Sequence, residues 1–415
     1  MSKPVVSIWG PRPGAKPAAR KTDPWDTQWE LHNGTAWVYH SSPEQMVIRR
    51  PVILSDGFAM GPSDGHALYE GLEKGDYPFI SSLRQSGFDV ILLGYADRSA
   101  SILANADVAI ECIRRAIAER EGDHMLTVGG FSMGGMVTRY ALAKLESQSE
   151  DHQTATYLSY DTPHHGAWLP IGVQAFAHFV KERWGKTNPF LSLYSDLVNS
   201  PAARQMLRWH VETGTEITLD VAAGQDHERT AFLEALRRVG NWPQRPRLLG
   251  VANGTGTGVG NHIPAEDIAM AAPGPRANAK LYTQGRGQQT VAQMAEARQA
   301  PVLIKTNGFP ELDGAPGGLF PKAPLLDDAA NFGMAAFLAA MVNERPAELA
   351  HNATTFVPTI SAVASGEIDD HTALYTKVDR ESSELHDFLC ATTNEGHTVM
   401  TPELGKWILA RLEEA

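Results

Sequence analysis

The strongest chemical signal in the chain is a serine set between glycines. Gly130, Ser132 and Gly134 follow the apolar run 125–128 and precede a segment with helical spacing. A residue on a sharp turn between a strand and a helix needs small neighbours, and such a turn exposes a serine hydroxyl for attack on a carbonyl carbon. The pattern therefore predicts that Ser132 is the nucleophile of an acyl-transfer reaction.

Two segments of the chain resemble the α/β-hydrolase superfamily, in its lipase- and esterase-like branch. They are GFSMGG at 130–135 and TPHHG at 162–166, and the resemblance covers about residues 50–166 and the stretch near 356–397. It implies a mostly parallel sheet with a mainly helical cap, and a catalytic order of serine, acid and histidine along the chain. It places the nucleophile at Ser132.

A serine hydroxyl attacks efficiently only when an imidazole removes its proton. Of the fifteen histidines, we predict His397 as this base. It lies after the last predicted strand and before the terminal helix, where the resembled fold delivers its base. His164 and His165 are the alternatives, but the resemblance makes their segment a structural turn beside the site.

Several aspartates are candidates for the carboxylate that orients the histidine. Asp161 ends the fourth predicted strand, a position that some lipases of the superfamily use, and is our first prediction. Asp313 is the alternative acid, followed by Asp369 or Asp370. The commonest family position falls at residues 253–256, which contain no carboxylate and depart from the pattern. An Asp161 that only caps a turn is the non-catalytic interpretation.

Acyl transfer also needs two N–H donors aimed at the developing oxyanion. The first is predicted to be the backbone N–H of Met133, the residue after the nucleophile. The second is expected from the loop after the first core strand, where Gly57 allows a tight turn and Phe58 could donate. Relatives commonly carry His-Gly there, whereas this chain has Asp56, which leaves the exact donor open. An ordinary turn at Asp56 and Gly57 is the non-catalytic interpretation.

Two further sequence patterns resemble ligand-binding motifs but do not point to a bound ligand. The glycine-rich segment 254–260 looks like a phosphate-binding loop, but Pro264 and no clear helix follow it, which favours a turn or a site wall. His164 and His165 with Asp161 could ligate a metal, yet no fourth ligand occurs at a familiar spacing. We therefore expect neither a cofactor nor a metal.

A sheet buried on both faces must position these side chains. From residue 51, apolar runs bounded by Gly or Asp alternate with segments of helical spacing, which indicates an α/β fold with a mostly parallel sheet. In the segment 101–118, apolar residues recur at three- and four-residue steps and predict a helix that covers the sheet. The predicted strands are residues 51–55, 88–93, 125–128, 156–160, 247–252 and 356–363.

The chain is predicted to have three parts. Residues 1–50 form an arm and a hairpin, residues 51–166 and 245–415 form the α/β-hydrolase core, and residues 167–244 form a helical cap or lid. An apolar cap over Ser132 would exclude water and favour an acyl or aromatic substrate. Equally, its apolar residues would pack the helices on one another. These residues include Trp168, Leu169, Phe176, Phe179, Trp184, Phe190 and Leu197.

Composition narrows the functional classes. The 415 residues carry a net charge of −12, which argues against nucleic acid or an anionic membrane as the main partner. Two cysteines are too few for a disulfide framework. The first residues show no signal-peptide pattern, and the most apolar run, 333–342, is too short for a membrane span. We expect a cytoplasmic protein, with no signal for an oligomeric state.

Together these observations predict a serine hydrolase that cleaves carboxylic esters of apolar acyl groups or lactones. A thioesterase or an acyltransferase would use the same three residues, because the pocket rather than the triad selects the substrate. A non-catalytic binding protein of the same fold is the alternative from another class, but it has no chemical need for both Ser132 and His397.

Overall fold

The centre of the molecule is an eight-stranded, mostly parallel sheet. The computed structural model describes residues 24–42, 44, 46–214, 216, 218–222, 224–320 and 331–414. The strands of this sheet are β1 (Thr27–Leu31), β2 (Gly34–Tyr39), β3 (Pro51–Ser55), β4 (Asp89–Tyr95), β5 (Leu126–Phe131), β6 (Thr154–Tyr160), β8 (Arg247–Thr255) and β16 (Asp387–Ala391). Their order is β1-β2-β4-β3-β5-β6-β8-β16; the β1–β2 and β2–β4 pairs are antiparallel and the other pairs are parallel.

Helices cover both faces of this sheet because its strands are apolar on both sides. All five residues of β3 are buried, and its alternate side chains enter two separate apolar layers. The covering helices are α1 (Gly65–Glu73), α2 (Phe79–Gln85), α3 (Ile102–Glu119), α4 (Met133–Ser147) and α12 (Pro402–Glu413). Ile53 packs in the layer with α3 and α4, whereas Val52 and Leu54 pack in the layer with α1, α2 and α12.

The chain between β6 and β16 forms further helices and a second sheet. The helices are α5 (Ile171–Trp184), α6 (Leu193–Val198), α7 (Pro201–Met206), α8 (His227–Arg238), α9 (Asn331–Asn343), α10 (Thr359–Ala362) and α11 (His371–Leu374), with a 3₁₀ turn at Pro189–Ser192. The strands are β7 (Thr218–Ala222), β9 (Ile268–Ala272), β10 (Ala277–Tyr282), β11 (Gly287–Glu296), β12 (Val302–Phe309) and β14 (Glu348–Leu349), in the order β14-β9-β10-β11-β12-β7.

One face of the second sheet packs against α5 and α9. In β10, Ala277, Ala279 and Leu281 are buried and the residues between them are exposed, which is the alternation of a half-buried strand. Helix α5 lies directly on β11, since a Cβ at Gly172 would come within 2.7 Å of the Val291 carbonyl oxygen. A two-stranded pair, β13 (Gly317–Leu319) and β15 (Thr355–Pro358), completes the strands of the described residues.

The structure differs from the sequence-based expectation at two places. The segment 356–363 is not one strand of the central sheet, because Pro358 ends β15 and the chain continues as the short helix α10. β16 is the strand beyond β8 in the central sheet. The second sheet has no counterpart among the predicted elements, and β7 falls inside the stretch expected to be helical.

One property of the helices in the described ranges bears on membrane insertion. None of them combines the length and the apolar character that crossing a membrane requires.

Candidate active site

Ser132 stands on the turn between β5 and α4 with a strained backbone. Its φ of 53° and ψ of −124° lie in a region that non-glycine residues rarely adopt. The flanking glycines are needed because a Cβ at Gly130 would lie 2.5 Å from the Gly134 carbonyl carbon. A Cβ at Gly134 would lie 2.4 Å from the Ser55 carbonyl oxygen. The spacing of small residues around Ser132 therefore follows from close backbone packing.

The ends of neighbouring parallel strands bring Ser132 and Asp161 to one edge of the sheet. Phe131 and Tyr160 are paired residues at the ends of β5 and β6, so the residue after each lies at the same edge. Ser132 N–H donates to the Tyr160 carbonyl at 2.9 Å, which ties the turn to the neighbouring strand. The carboxyl ends of parallel strands are where α/β proteins commonly place their sites.

His397 contacts Asp161 although 236 residues separate them in the chain. Its Nδ1 lies 2.7 Å from Asp161 Oδ2, and both side chains are fully buried. The other carboxylate oxygen accepts a hydrogen bond from the Asn253 backbone N–H at 3.0 Å. With a carboxylate at Nδ1, that nitrogen carries the proton and Nε2 keeps its lone pair.

The Ser132 hydroxyl and the His397 Nε2 atom are buried without a hydrogen-bond partner among the described residues. Both residues are 0% exposed. A buried polar atom without a partner costs about 1–3 kcal/mol, and other buried atoms of the described residues, such as the Tyr194 hydroxyl and the Trp209 indole nitrogen, also lack one. The Ser132 hydroxyl and the His397 imidazole therefore do not hydrogen-bond to each other in this structure.

The loop that carries His397 is held by the small β13–β15 pair. His397 N–H donates to the Leu319 carbonyl and Leu319 N–H donates to the Glu395 carbonyl, each at 2.8 Å. The imidazole stands edge-on to Phe356, with ring centroids 4.9 Å apart. Gly318 lies against the acid, since a Cβ there would come within 2.1 Å of Asp161 Oδ2. Sequence reasoning missed Gly318, for which the Gly-Gly pair is the only signal.

The two alternative histidines have other partners. His164 Nε2 lies 2.8 Å from Ser159 Oγ, and its Nδ1 lies 3.3 Å from an Arg139 guanidinium nitrogen. Burial, followed by the charge of Arg139, holds the pKa of His164 well below its usual value. His165 Nδ1 lies 2.6 Å from the Gly366 carbonyl oxygen, and burial lowers its pKa. These ring atoms therefore face groups other than Ser132, and other than the Asp161 carboxylate that the metal alternative would require.

Asp313, the alternative acid, is buried but bound elsewhere. Its Oδ1 accepts from the Trp168 indole N–H at 2.9 Å, and its Oδ2 accepts from the Gln284 backbone N–H at 2.7 Å. Burial raises its pKa to about 6. The carboxylate therefore joins the start of the insertion to the second sheet and takes its hydrogen bonds from an indole and an amide.

The remaining acid candidates, Asp369 and Asp370, are exposed. Asp369 pairs with Arg208, and Asp370 caps α11 by accepting from the Thr372 backbone N–H at 2.8 Å. An acid that orients an imidazole must be shielded from water. Their exposure and their partners fit surface roles.

The loop predicted to supply the second oxyanion donor lies against the serine turn. Gly134 would place a Cβ 2.5 Å from the Asp56 carbonyl oxygen, so the loop and the start of α4 touch. Met133 is the first residue of α4, and Phe58 is 1% exposed. The two residues predicted as backbone donors therefore come from segments in direct contact.

A narrow apolar crevice opens beside Phe58. The space between its atoms, open solvent included, is about 190 Å³, and no part of it is wide enough for a water molecule. No polar side chain lines it, and most of its wall belongs to the insertion after β6. The lining residues are Phe58, Leu169, Leu197, Val198, Ala203, Met206 and Leu207.

One group of three side chains in the described part of the chain has the spacing of metal ligands, namely His210, Glu212 and Asp226. Both carboxylates are paired with Arg204, whose Nη2 lies 3.1 Å from Asp226 Oδ2 and 2.5 Å from Glu212 Oε1. A guanidinium thus already supplies the positive charge that a metal ion would bring. The group is best described as an ion-pair network.

Comparisons with known proteins give only distant likenesses. No family model matches this chain, and no curated protein matches it. It is similar to a Bacillus licheniformis lipase in mature form, with 13% identity, a TM-score of 0.30, and coverage of 52% of this chain and 71% of that one. An esterase/lipase from an uncultured bacterium is 13% identical with a TM-score of 0.28, covering 54% and 72%.

A third solved structure, an esterase from the bacterial hormone-sensitive lipase family, is 14% identical with a TM-score of 0.28 and covers 54% and 72%. These neighbours are lipases and esterases. At such TM-scores the likeness carries no argument about this chain. A function for this chain must therefore be inferred from the contacts of Ser132, Asp161 and His397 themselves.

Proposed function

We propose that this chain is a serine hydrolase of the α/β-hydrolase fold that cleaves carboxylic esters through an acyl-enzyme. The observation that supports it is the buried 2.7 Å contact between His397 Nδ1 and Asp161 Oδ2. That contact leaves Nε2 with a lone pair, at the same sheet edge where the strained turn holds the Ser132 hydroxyl. Nucleophile, base and orienting acid are then supplied by three separate segments.

The proposed reaction has two halves. Ser132 Oγ bonds to the ester carbonyl carbon while its proton passes to His397 Nε2, and the carbonyl oxygen becomes an oxyanion. The N–H groups of Met133 and Phe58 stabilise that charge. The C–O bond to the alcohol then breaks, and the alcohol leaves with the proton from Nε2. Water repeats the sequence on the acyl-enzyme and releases the acid, so no cofactor is needed.

Asp161 has a distinct role in this scheme. Its carboxylate fixes the tautomer of His397 in the resting state and stabilises the imidazolium that forms when Nε2 is protonated. Its second oxygen is already satisfied by the Asn253 N–H, which fixes the direction of the carboxylate.

The crevice beside Phe58 supports an apolar acyl group in the substrate. Its walls carry only apolar side chains, so they would not stabilise a charged acyl chain. Because the crevice is too tight for water, binding requires the wall formed by Leu197 and Met206 to move outward. Helices α6 and α7 carry these two residues, and we propose that this part of the insertion is the cap.

Labelling with a fluorophosphonate probe tests the proposal directly. The native protein is expected to be labelled, and Ser132→Ala is expected to be unlabelled. Ser159→Ala is the matched control, because Ser159 is also buried and lies 2.8 Å from an imidazole nitrogen. Labelling that persists in Ser132→Ala, or that is absent from the native protein, would refute the proposal.

Hydrolysis rates identify the bond that is cleaved. A panel of p-nitrophenyl esters from acetate to palmitate, with a thioester and a lactone beside them, is expected to show the highest kcat/KM for an ester with an apolar acyl chain. A strong preference for the thioester would assign the site to thioester hydrolysis. Product analysis with added alcohol separates hydrolysis from acyl transfer.

A further inference from the structure

We infer that Asp56, through its buried ion pair with Arg98, is the positioning residue for the loop that carries the second oxyanion donor. This inference rests on the function proposed above. Asp56 directly follows β3 at the carboxyl edge of the sheet, two residues before Phe58. Its side chain is 0% exposed and that of Arg98 is 4% exposed. A carboxylate and a guanidinium that are buried together must compensate each other's charge.

The Asp56 carboxylate binds both ends of its own loop. Oδ1 accepts from the Gly57 backbone N–H at 2.7 Å, and Oδ2 accepts from the Ser63 hydroxyl at 2.7 Å. Arg98 Nη1 lies 3.4 Å from the same Oδ2. One side chain thereby links the start and the end of the loop 56–63. Hydrogen bonds to a charged acceptor are stronger than neutral ones.

Arg98 holds the middle of the same loop from the other side. Its Nη2 lies 3.4 Å from the Met60 carbonyl oxygen, and its backbone N–H donates to the Gly61 carbonyl at 3.1 Å. The end of the loop is tied to β4, because Ser63 N–H donates to the Tyr95 carbonyl at 2.8 Å. The path of the backbone past Phe58 is thus set by contacts on both sides of it.

This fixed path matters because the loop touches the serine turn. The Asp56 carbonyl oxygen lies so close to Gly134 that a Cβ there would clash with it. Because the loop packs this tightly on the serine turn, a shift of the loop changes the separation between Phe58 and Met133. An oxyanion donor works only within a few tenths of an ångström of its acceptor, and losing one costs about 10²–10³ in kcat. Loss of the Asp56 charge leaves Arg98 unpaired and lets the loop rearrange.

A purely structural role would lower stability without changing the chemistry, and Asp89 provides the matched control. This carboxylate is also fully buried, at the opposite end of the neighbouring strand β4. It accepts from the backbone N–H groups of Ser41, Arg49 and Arg50 at 2.8, 2.7 and 3.0 Å. Asp89→Asn removes a buried charge of the same kind at a place remote from the loop.

The experiment compares Asp56→Asn with Asp89→Asn in the full-length protein. We expect both variants to lower Tm, but only Asp56→Asn to lower kcat, by about 10- to 100-fold, with KM within about threefold of wild type. Affinity for a trifluoromethyl ketone analogue of the substrate, which forms an oxyanion on Ser132, is expected to fall by the same factor as kcat. KM reports binding of the ground-state substrate, whereas affinity for the analogue reports stabilisation of the oxyanion by the two N–H donors. Comparing the two separates these effects.

Equal kcat values for Asp56→Asn and wild type, at a temperature where both are folded, would overturn the inference. So would a matching loss of kcat in Asp89→Asn. If Asp56→Asn does not fold, Ser63→Ala takes its place, with an expected loss of about 3- to 10-fold in kcat and none in KM; an unchanged kcat there overturns the inference too. A wild-type protein without esterase activity or Ser132 labelling would instead refute the proposed function.

Discussion

Replacing Asp161 by asparagine gives the sharpest test of how the imidazole is controlled. Asp161 Oδ1 accepts from the Asn253 N–H at 3.0 Å, whereas Oδ2 faces His397 Nδ1 at 2.7 Å. In Asp161→Asn, the donor at Asn253 requires the amide oxygen on its own side. The amide NH₂ group then faces Nδ1, which must accept, so the proton moves to Nε2. The base is left in the wrong tautomer to take a proton from Ser132.

The expected loss in kcat is about 10⁴-fold, which corresponds to about 5.5 kcal/mol in the activation free energy. The volume of the side chain hardly changes, so Tm is expected to fall far less than it would for a cavity. Steady-state hydrolysis of a p-nitrophenyl ester measures kcat, and ¹⁵N chemical shifts of the His397 ring report the tautomer directly.

Asp313→Asn is the control for this prediction, because Asp313 is an equally buried aspartate that contacts no histidine among its hydrogen-bond partners in the described ranges. Its kcat is expected to stay within about threefold of wild type. A loss of 10⁴-fold in Asp313→Asn, with Asp161→Asn near wild type, would transfer the acid's role and refute the reasoning from the 2.7 Å contact.

Individual contacts give three more predictions. Burial raises the pKa of Asp313 from 3.8 to about 6, so the folded protein holds this proton more tightly than the unfolded chain does. The contribution of this group to the free energy of unfolding should therefore fall by about 3 kcal/mol between pH 4 and pH 6 and stay level at higher pH. Urea titrations of wild type and Asp313→Asn at several pH values measure this difference. Gly318→Ala places a Cβ 2.1 Å from Asp161 Oδ2, and kcat should fall at least about tenfold in ester assays, since a displaced acid misdirects the base. Met206→Ala widens the crevice, and the preferred acyl chain in the ester panel should become longer, at a stability cost of about 2–5 kcal/mol seen in Tm.

The central sheet and the serine turn could be read from the sequence because their signals are local. A strand buried on both faces is a continuous apolar run, as in β3 and β4, and the serine turn needs glycines at fixed offsets from Ser132. Each of these patterns spans fewer than ten residues. Neither depends on knowing which distant segment lies beside it.

The second sheet could not be read in the same way. Its strands bury one face only, and in β11 the alternation is interrupted where the pairing with β12 shifts register between Thr290 and Ala292. β7 pairs with β12 across more than eighty residues, and its own pattern is mostly exposed. A weak two-residue period becomes a strand only through such long-range pairing.

For the acid, burial alone does not select among the candidates. Asp161 and Asp313 are both buried, and both accept two hydrogen bonds from described neighbours. They differ in what faces them, since one contacts an imidazole and the other an indole and an amide. That difference follows from the order of the strands in the sheet and from the position of the loop that carries His397. No local sequence pattern encodes either of these features. In the sequence, only its position at the end of a strand favours Asp161.

A serine–imidazole contact is likewise insufficient to define a catalytic pair, as Ser159 and His164 show. Their side chains lie 2.8 Å apart and are buried, yet the far nitrogen of His164 faces the Arg139 guanidinium at 3.3 Å. An arginine can only donate, so that nitrogen must accept and the proton must sit on Nε2, pointing at the serine. His397 has a carboxylate in the equivalent place and the opposite tautomer. The group behind the imidazole therefore decides which histidine can act as a base, and fluorophosphonate should leave Ser159 unlabelled.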